Sequence, residues 1–128
     1  MKIFKLKHYD FGYIYVGAQY RRTKYGCFKI GETTRDTKIR ESEINKIEDS
    51  DFKMLGYIAI PDATKPLLLC VEAMVRLKLA MSGKCKWIKN DHFLYTVDDR
   101  KKDLENIRNT VLDIARDACK WLETEYIG

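Results

Sequence analysis

With only two prolines and seven glycines in 128 residues, the chain has little in common with disordered or fibrous sequences. No apolar run reaches the length of a membrane span; the longest, PLLLCVEAMV, is interrupted by Glu72. The opening MKIFKLKHYD carries charge but no apolar h-region, so no secretory leader is expected. Cys27, Cys70, Cys85 and Cys119 form no C-x-x-C pair and lie away from histidines at zinc spacing, which argues against a structural zinc site. Four reduced thiols in a cytoplasmic protein is the simplest reading, with Cys27 and Cys70 in contexts that suit a core. His8 and His92 are the only histidines, no Ser-His-Asp set is visible, and there is no Walker-type phosphate loop.

What is present is ordinary globular composition, 45% apolar and 34% charged, and enough chain for a single domain spanning residues 1–128. The net charge is +5. Basic residues gather at YRRTKYG, with Arg21, Arg22 and Lys24, and at KCKWIK, with Lys84, Lys86 and Lys89 in a second turn around Trp87. A basic surface suits a polyanion such as nucleic acid. The 19 acidic residues make a plain solvated surface an equal explanation on charge alone.

The pattern of residues predicts α+β architecture. GYIYVGAQ alternates β-branched and aromatic residues and reads as a strand over Tyr13–Ala18. GCFKIG reads as its antiparallel partner across a basic tip. A helix follows through DTKIRESEINKIE to about Ile47, and FKMLGYIAI, Phe52–Ile60, gives a third strand. A second helix over Thr64–Met81 has Pro66 in its first turn, where proline is tolerated. A short strand or extended segment, Phe93–Val97, precedes a long C-terminal helix over residues 98–126, capped by Asp98. In that helix Leu104, Ile107, Val111, Ile114, Ala118 and Trp121 form a stripe expected to pack on the domain's own core, with a homodimer seam as the alternative. The expected fold is therefore a small central three-stranded antiparallel sheet flanked by helices, in the order β-β-α-β-α, with the long helix last.

Several polar residues stand where this pattern asks for apolar ones. On the first helix Arg40 falls between Ile44 and Ile47 on the helical wheel, with Ile39 beside them. An arginine on a buried stripe is costly unless something anionic meets it, whether Glu43 or a phosphate whose geometry its planar fork matches. Glu72 is the only charge in PLLLCVEAMV. Arg76, four residues on, can pair with it; alternatively the carboxylate holds a divalent cation. On the strands Lys29 stands between Phe28 and Ile30, and Tyr13 and Tyr15 share a face. A set with Arg and Lys for phosphate, Glu for one metal, and Tyr or Lys to activate water suits phosphodiester cleavage.

Taken in order, these residues resemble the GIY-YIG nuclease superfamily. YIYVG stands where its first motif would be, with Tyr15 matching the tyrosine of GIY, and FKIG stands at YIG with Lys29 at its tyrosine. Arg40 follows on the first helix, and Glu72 matches the family's metal-binding glutamate. The branch most similar is the T5orf172-like group of phage and bacterial proteins, in which KIG-x-T replaces YIG; here that is Lys29, Ile30, Gly31, Glu32 and Thr33. The resemblance covers roughly Tyr13 to Val97. It implies a DNA endonuclease in which Tyr15 helps activate the nucleophile, Lys29 supplies positive charge, Arg40 stabilises the transition state, and Glu72 anchors one Mg²⁺ or Mn²⁺. The chain departs from the pattern at Tyr13 for the first glycine of GIY and at Arg76 for a histidine. Asp91-His92-Phe93 stands in place of Glu-Trp-Phe, with His92, Asp91 or Asn90 available to supply the polar group.

Arg21, Arg22, Lys24, Arg76, Asn90 and His92 are the expected substrate contacts. The chain has no room for the separate recognition domain usual in the family, so the basic segments or a partner subunit would supply specificity. The residues leave DNA and RNA both open, since both offer the same phosphate. Two other functions fit the same pattern: a non-catalytic nucleic-acid-binding module that kept the fold, and an interaction domain dimerising through the last helix.

Overall fold

The alternation in GYIYVGAQ and GCFKIG produces the expected hairpin, longer than the pattern suggests. In the computed structural model, which describes residues 5–19, 27–48, 51–83, 85–89, 92–95 and 100–128, β1 runs over His8–Gln19 and β2 over Cys27–Thr33. They pair antiparallel, with Tyr15 opposite Gly31 and Gly17 opposite Lys29. β3, Phe52–Thr64, lies antiparallel along the other side of β1. The α+β class and the three-stranded antiparallel core β3-β1-β2 are as expected.

Two further strands extend that sheet. β4, Cys85–Lys89, and β5, His92–Tyr95, pair with each other, and β5 adds to β2, giving the order β3-β1-β2-β5-β4. The segment KCKWIK, expected as a basic turn, is thus mostly an edge strand. Lysine-bearing edge strands are a common defence against edge-to-edge association, and this composition hides a strand from a hydrophobicity pattern. Phe28 and Phe93 stack with centroids 5.6 Å apart and tie β2 to β5.

Three helices cover the sheet. α1 spans Thr37–Glu48, with Asp36 accepting a hydrogen bond from the Lys38 N–H as its cap. α2 spans Lys65–Met81, with Thr64 Oγ1 accepting from the Leu67 N–H at 3.3 Å and proline in the first turn. It ends before Gly83, whose φ of 70° lies where glycine is favoured. α3 spans Arg100–Trp121. α2 and α3 bury Leu68, Val71, Val75, Ile107, Val111 and Ala115 against one sheet face, with Ile14, Val16, Phe28, Ile30, Ile58 and Ile60 beneath them. Full burial of each such side chain is worth about 1.5–3 kcal/mol, so this layer carries most of the stability. The smaller α1 packs on the opposite face, where Tyr15, Ile44 and Phe52 form a second cluster with Met54.

Around Tyr15 the sheet is therefore covered on both faces, and Ile14 through Gln19 are all buried. A bulge in β3 opposite Val16 and Gly17 shifts the register, placing Phe52 beneath Tyr15 at 6.2 Å between ring centroids. The outer edge of β3 is closed at two places. Asn45 of α1 accepts from the Phe52 N–H and donates to its carbonyl, while Glu41 accepts from the Met54 N–H at 2.7 Å. Further along, Ile127 of the C-terminal segment exchanges two backbone hydrogen bonds with Ala59.

Three expectations about side-chain placement are corrected. Ile39 and Ile47 face outward, and α1 buries Thr37 and Ile44, because the hydrogen bonds of Glu41 and Asn45 set its rotation. Cys70 is exposed on the outer side of α2, whereas Cys27 is buried as expected. α3 lies on the core through Ile107, Val111 and Ala118, but Trp121 is 75% exposed. All four cysteines are free thiols. Among the described residues no helix is long and apolar enough to cross a membrane.

Candidate functional site

Pleating sends Phe28 and Ile30 toward α2 and α3, and Lys29 and Gly31 toward α1. Lys29 is nonetheless only 5% exposed. It shares the face with Tyr15, which lies diagonally across the β1–β2 pair. The Tyr15 ring rests on Gly31, where a Cβ would come within 2.2 Å of its hydroxyl oxygen and 2.4 Å of Cζ. Glycine at this place is what lets the tyrosine lie across the strand.

α1 brings Arg40 over this face, and its guanidinium hydrogen-bonds the Tyr15 hydroxyl. Burial works against the charged guanidinium. The Tyr15 hydrogen bond and the charges of Tyr15, Glu43 and Glu32 outweigh it, and the net shift of the pKa is upward. The arginine is therefore a permanent cation. Its Nε is buried and finds no hydrogen-bond partner among the described residues, and the same holds for Glu43 Oε1 and Glu32 Oε2. Each of these acids is engaged through its other oxygen, Glu43 by Arg35 at 3.4 Å and Glu32 by Lys65 at 2.5 Å. The Glu32 side chain is only 10% exposed. Buried polar atoms left open cost about 1–3 kcal/mol each, so an open donor on Arg40 and an open acceptor on each of two acids whose charge it feels make an expensive arrangement for a purely structural role.

Of the four expected catalytic residues, Tyr15 and Arg40 are in contact, and Lys29 is on their face of the sheet. Glu72 belongs to α2, which packs against the opposite face, at the margin of its buried stripe; it is not among the charges acting on Arg40. Arg76 stands one turn further along the same helix. His92 is paired with Lys29 in the strand register. Arg21, Arg22, Lys24 and Asn90 lie outside the described residues. The residue missed by sequence reasoning is Glu32, which sits in the variable position of KIG-x-T. Its parity with Phe28 and Ile30, on the face toward the α2 layer, was the available sign.

Among the described residues no group of three or more His, Cys, Asp or Glu could hold a metal. A cleft of about 330 Å³ between α2 and α3, lined by Met74, Ile114 and Trp121 among others, is on the other side of the sheet from Tyr15. Comparison with family models, curated proteins and solved structures finds no match to the chain.

Proposed function

We propose that this chain is a metal-dependent endonuclease of the GIY-YIG type that hydrolyses phosphodiester bonds in DNA. The observation that carries the reading is Arg40. It is held against the Tyr15 hydroxyl on a sheet face that also bears Lys29, and its buried Nε finds no hydrogen-bond partner among the described residues. A planar guanidinium matches a phosphate and answers the charge that grows on phosphorus oxygens during displacement. In this reading Tyr15 orients or deprotonates the attacking water, with Arg40 fixing the direction of its hydroxyl. Lys29 adds an amine on the same face, a second donor for a phosphate oxygen.

A Mg²⁺ or Mn²⁺ ion fits a donor set of one carboxylate, because Mg²⁺ keeps several waters and takes the rest of its ligands from substrate. Glu72 is the residue that the family resemblance assigns to it. Glu43, one turn along α1 from Arg40, is an acid with an open oxygen whose charge acts on that arginine. Bound there, the ion would stabilise the leaving oxygen.

The test is nicking of supercoiled plasmid with Mg²⁺, with Mn²⁺ and with EDTA. Wild type is compared with Arg40→Ala, Glu72→Ala and Glu43→Gln. Metal-dependent nicking that Arg40→Ala abolishes supports the reading. Loss in Glu72→Ala assigns the metal to that residue, and loss in Glu43→Gln alone assigns it to α1. Salt-sensitive DNA retention without cleavage under any metal would make the chain a binding module of the same fold.

A further inference from the structure

Beyond the Tyr15–Arg40 pair, part of the same sheet face is exposed among the described residues. α1 shields Tyr15, Phe52 and Met54, but not the half of the face that carries Phe11, Tyr13 and Tyr57. Phe11 is 41% and Tyr57 47% exposed. Tyr13 and Tyr57 meet edge to face, with centroids 5.5 Å apart and an angle of 84° between planes, so each holds the other in place. Phe11, Tyr13 and Tyr15 follow one another on one side of β1, and consecutive same-face residues are about 6.8 Å apart. A cation stands near each end of this row. Arg40 is bonded to Tyr15, and Lys7 Nζ lies 4.9 Å from the centroid of the Tyr9 ring.

We propose that Phe11, Tyr13 and Tyr57 form a stacking platform for the bases of single-stranded nucleic acid, whose backbone is led along β1 to Tyr15 and Arg40. The inference rests on the phosphodiesterase reading and narrows its substrate class. Aromatic rings stack bases of any identity, because every base has a π-face. They reach that face only where it is not already stacked, and the interior of a duplex offers none. The ring spacing along β1 is about twice the 3.4 Å per nucleotide of a duplex strand, so bases lying on successive rings are separated from one another. A polyanion also accounts for the cations that bracket the row, where an apolar protein partner would not need them.

The experiment is fluorescence anisotropy in EDTA, with a labelled oligothymidylate and a duplex of equal length as probes. Wild type is compared with Phe11→Ala, Tyr57→Ala and Tyr57→Phe, each checked for folding by circular dichroism. Each alanine variant is expected to weaken single-strand binding by at least about five-fold. Tyr57→Phe should keep wild-type affinity, and duplex binding should not change. Unchanged single-strand binding in both alanine variants, or equal losses on both probes, overturns the platform. A protein that nicks duplex plasmid but ignores the ring substitutions keeps the proposed function and loses this inference. A protein that neither binds nor cuts either form loses both. Light scattering that shows a dimer broken by Tyr57→Ala, with oligonucleotide binding unchanged, would assign the face to a second copy of the chain and overturn the proposal.

Discussion

Replacing Gly31 by alanine tests the geometry on which the site depends. The added Cβ would lie 2.2 Å from the Tyr15 hydroxyl oxygen, where ordinary contact begins at 3.4 Å, so the ring must retreat by more than an ångström. Tyr15 has nowhere easy to go: it is buried, bonded to Arg40, and packed on Ile44 and Phe52. Overpacking of this kind costs about 1–3 kcal/mol. Alanine in place of glycine returns about 0.4–1 kcal/mol by restricting the unfolded chain. A net loss of roughly 1–2 kcal/mol is expected in urea unfolding. Plasmid nicking should fall far more, by about 100-fold, because displacing a reacting group by an ångström is enough for that. The control is Tyr15→Ala, which opens the space; adding Gly31→Ala to it should cost no further stability. If Gly31→Ala costs as much in the Tyr15→Ala background as in wild type, the ring does not lie on Gly31 and the site has been misdrawn.

Asn45→Ala removes both hydrogen bonds that close the β3 edge at Phe52, and a loss of about 1–3 kcal/mol in urea unfolding is expected. Burial raises the Cys119 thiol from 9.0 to about 11. Between pH 9 and 11 the unfolded chain therefore loses a proton that the folded one keeps; this contribution is whole below pH 9 and is lost as pH rises toward 11. About 2–3 kcal/mol of stability should disappear across that window, and unfolding curves of Cys119→Ala under reducing conditions should lack that part of the decline. Arg40→Met alone removes a cation that Glu43 and Glu32 feel besides Arg35 and Lys65 and should destabilise, whereas Arg40→Met with Glu43→Leu should recover stability without recovering nicking. Recovered cleavage in that double variant would exclude Arg40 from the chemistry.

The fold was legible where hydrophobic pattern decides it. Alternation marked β1 and β2, and the stripe through Ile107, Val111 and Ala118 placed the last helix on the core. What stayed hidden depended on hydrogen bonds that have no periodicity. α1 offers three isoleucines to a helical wheel, yet two face solvent, since Asn45 and Glu41 dock on backbone groups of β3 that any residue could carry. β4 was masked by its lysines, and Cys70 by apolar neighbours on a helix that is apolar nearly all round. Arg40 was legible because a guanidinium on a helix face expected to be buried is conspicuous; Glu32, its partner in charge, was hidden in a motif's variable position.

The question of why a lysine stands between Phe28 and Ile30 has two layers in this structure. Strand alternation sends Lys29 away from the main core, as it would on any half-buried strand. A half-buried strand would leave it in water, yet here it is buried, on the face of the sheet that also carries Tyr15. The two faces divide the work of the sheet. The α2–α3 face is filled with aliphatic and aromatic side chains and supplies burial energy, while the α1 face uses its enclosed space for a cation on tyrosine and a lysine. An apolar α1 face would be cheaper, because buried charges and open polar atoms are costly in a protein interior. Polar residues that break the local pattern without stabilising the fold mark functional sites. On that argument the small layer beneath α1, rather than the cleft between α2 and α3, is where substitutions should separate function from stability.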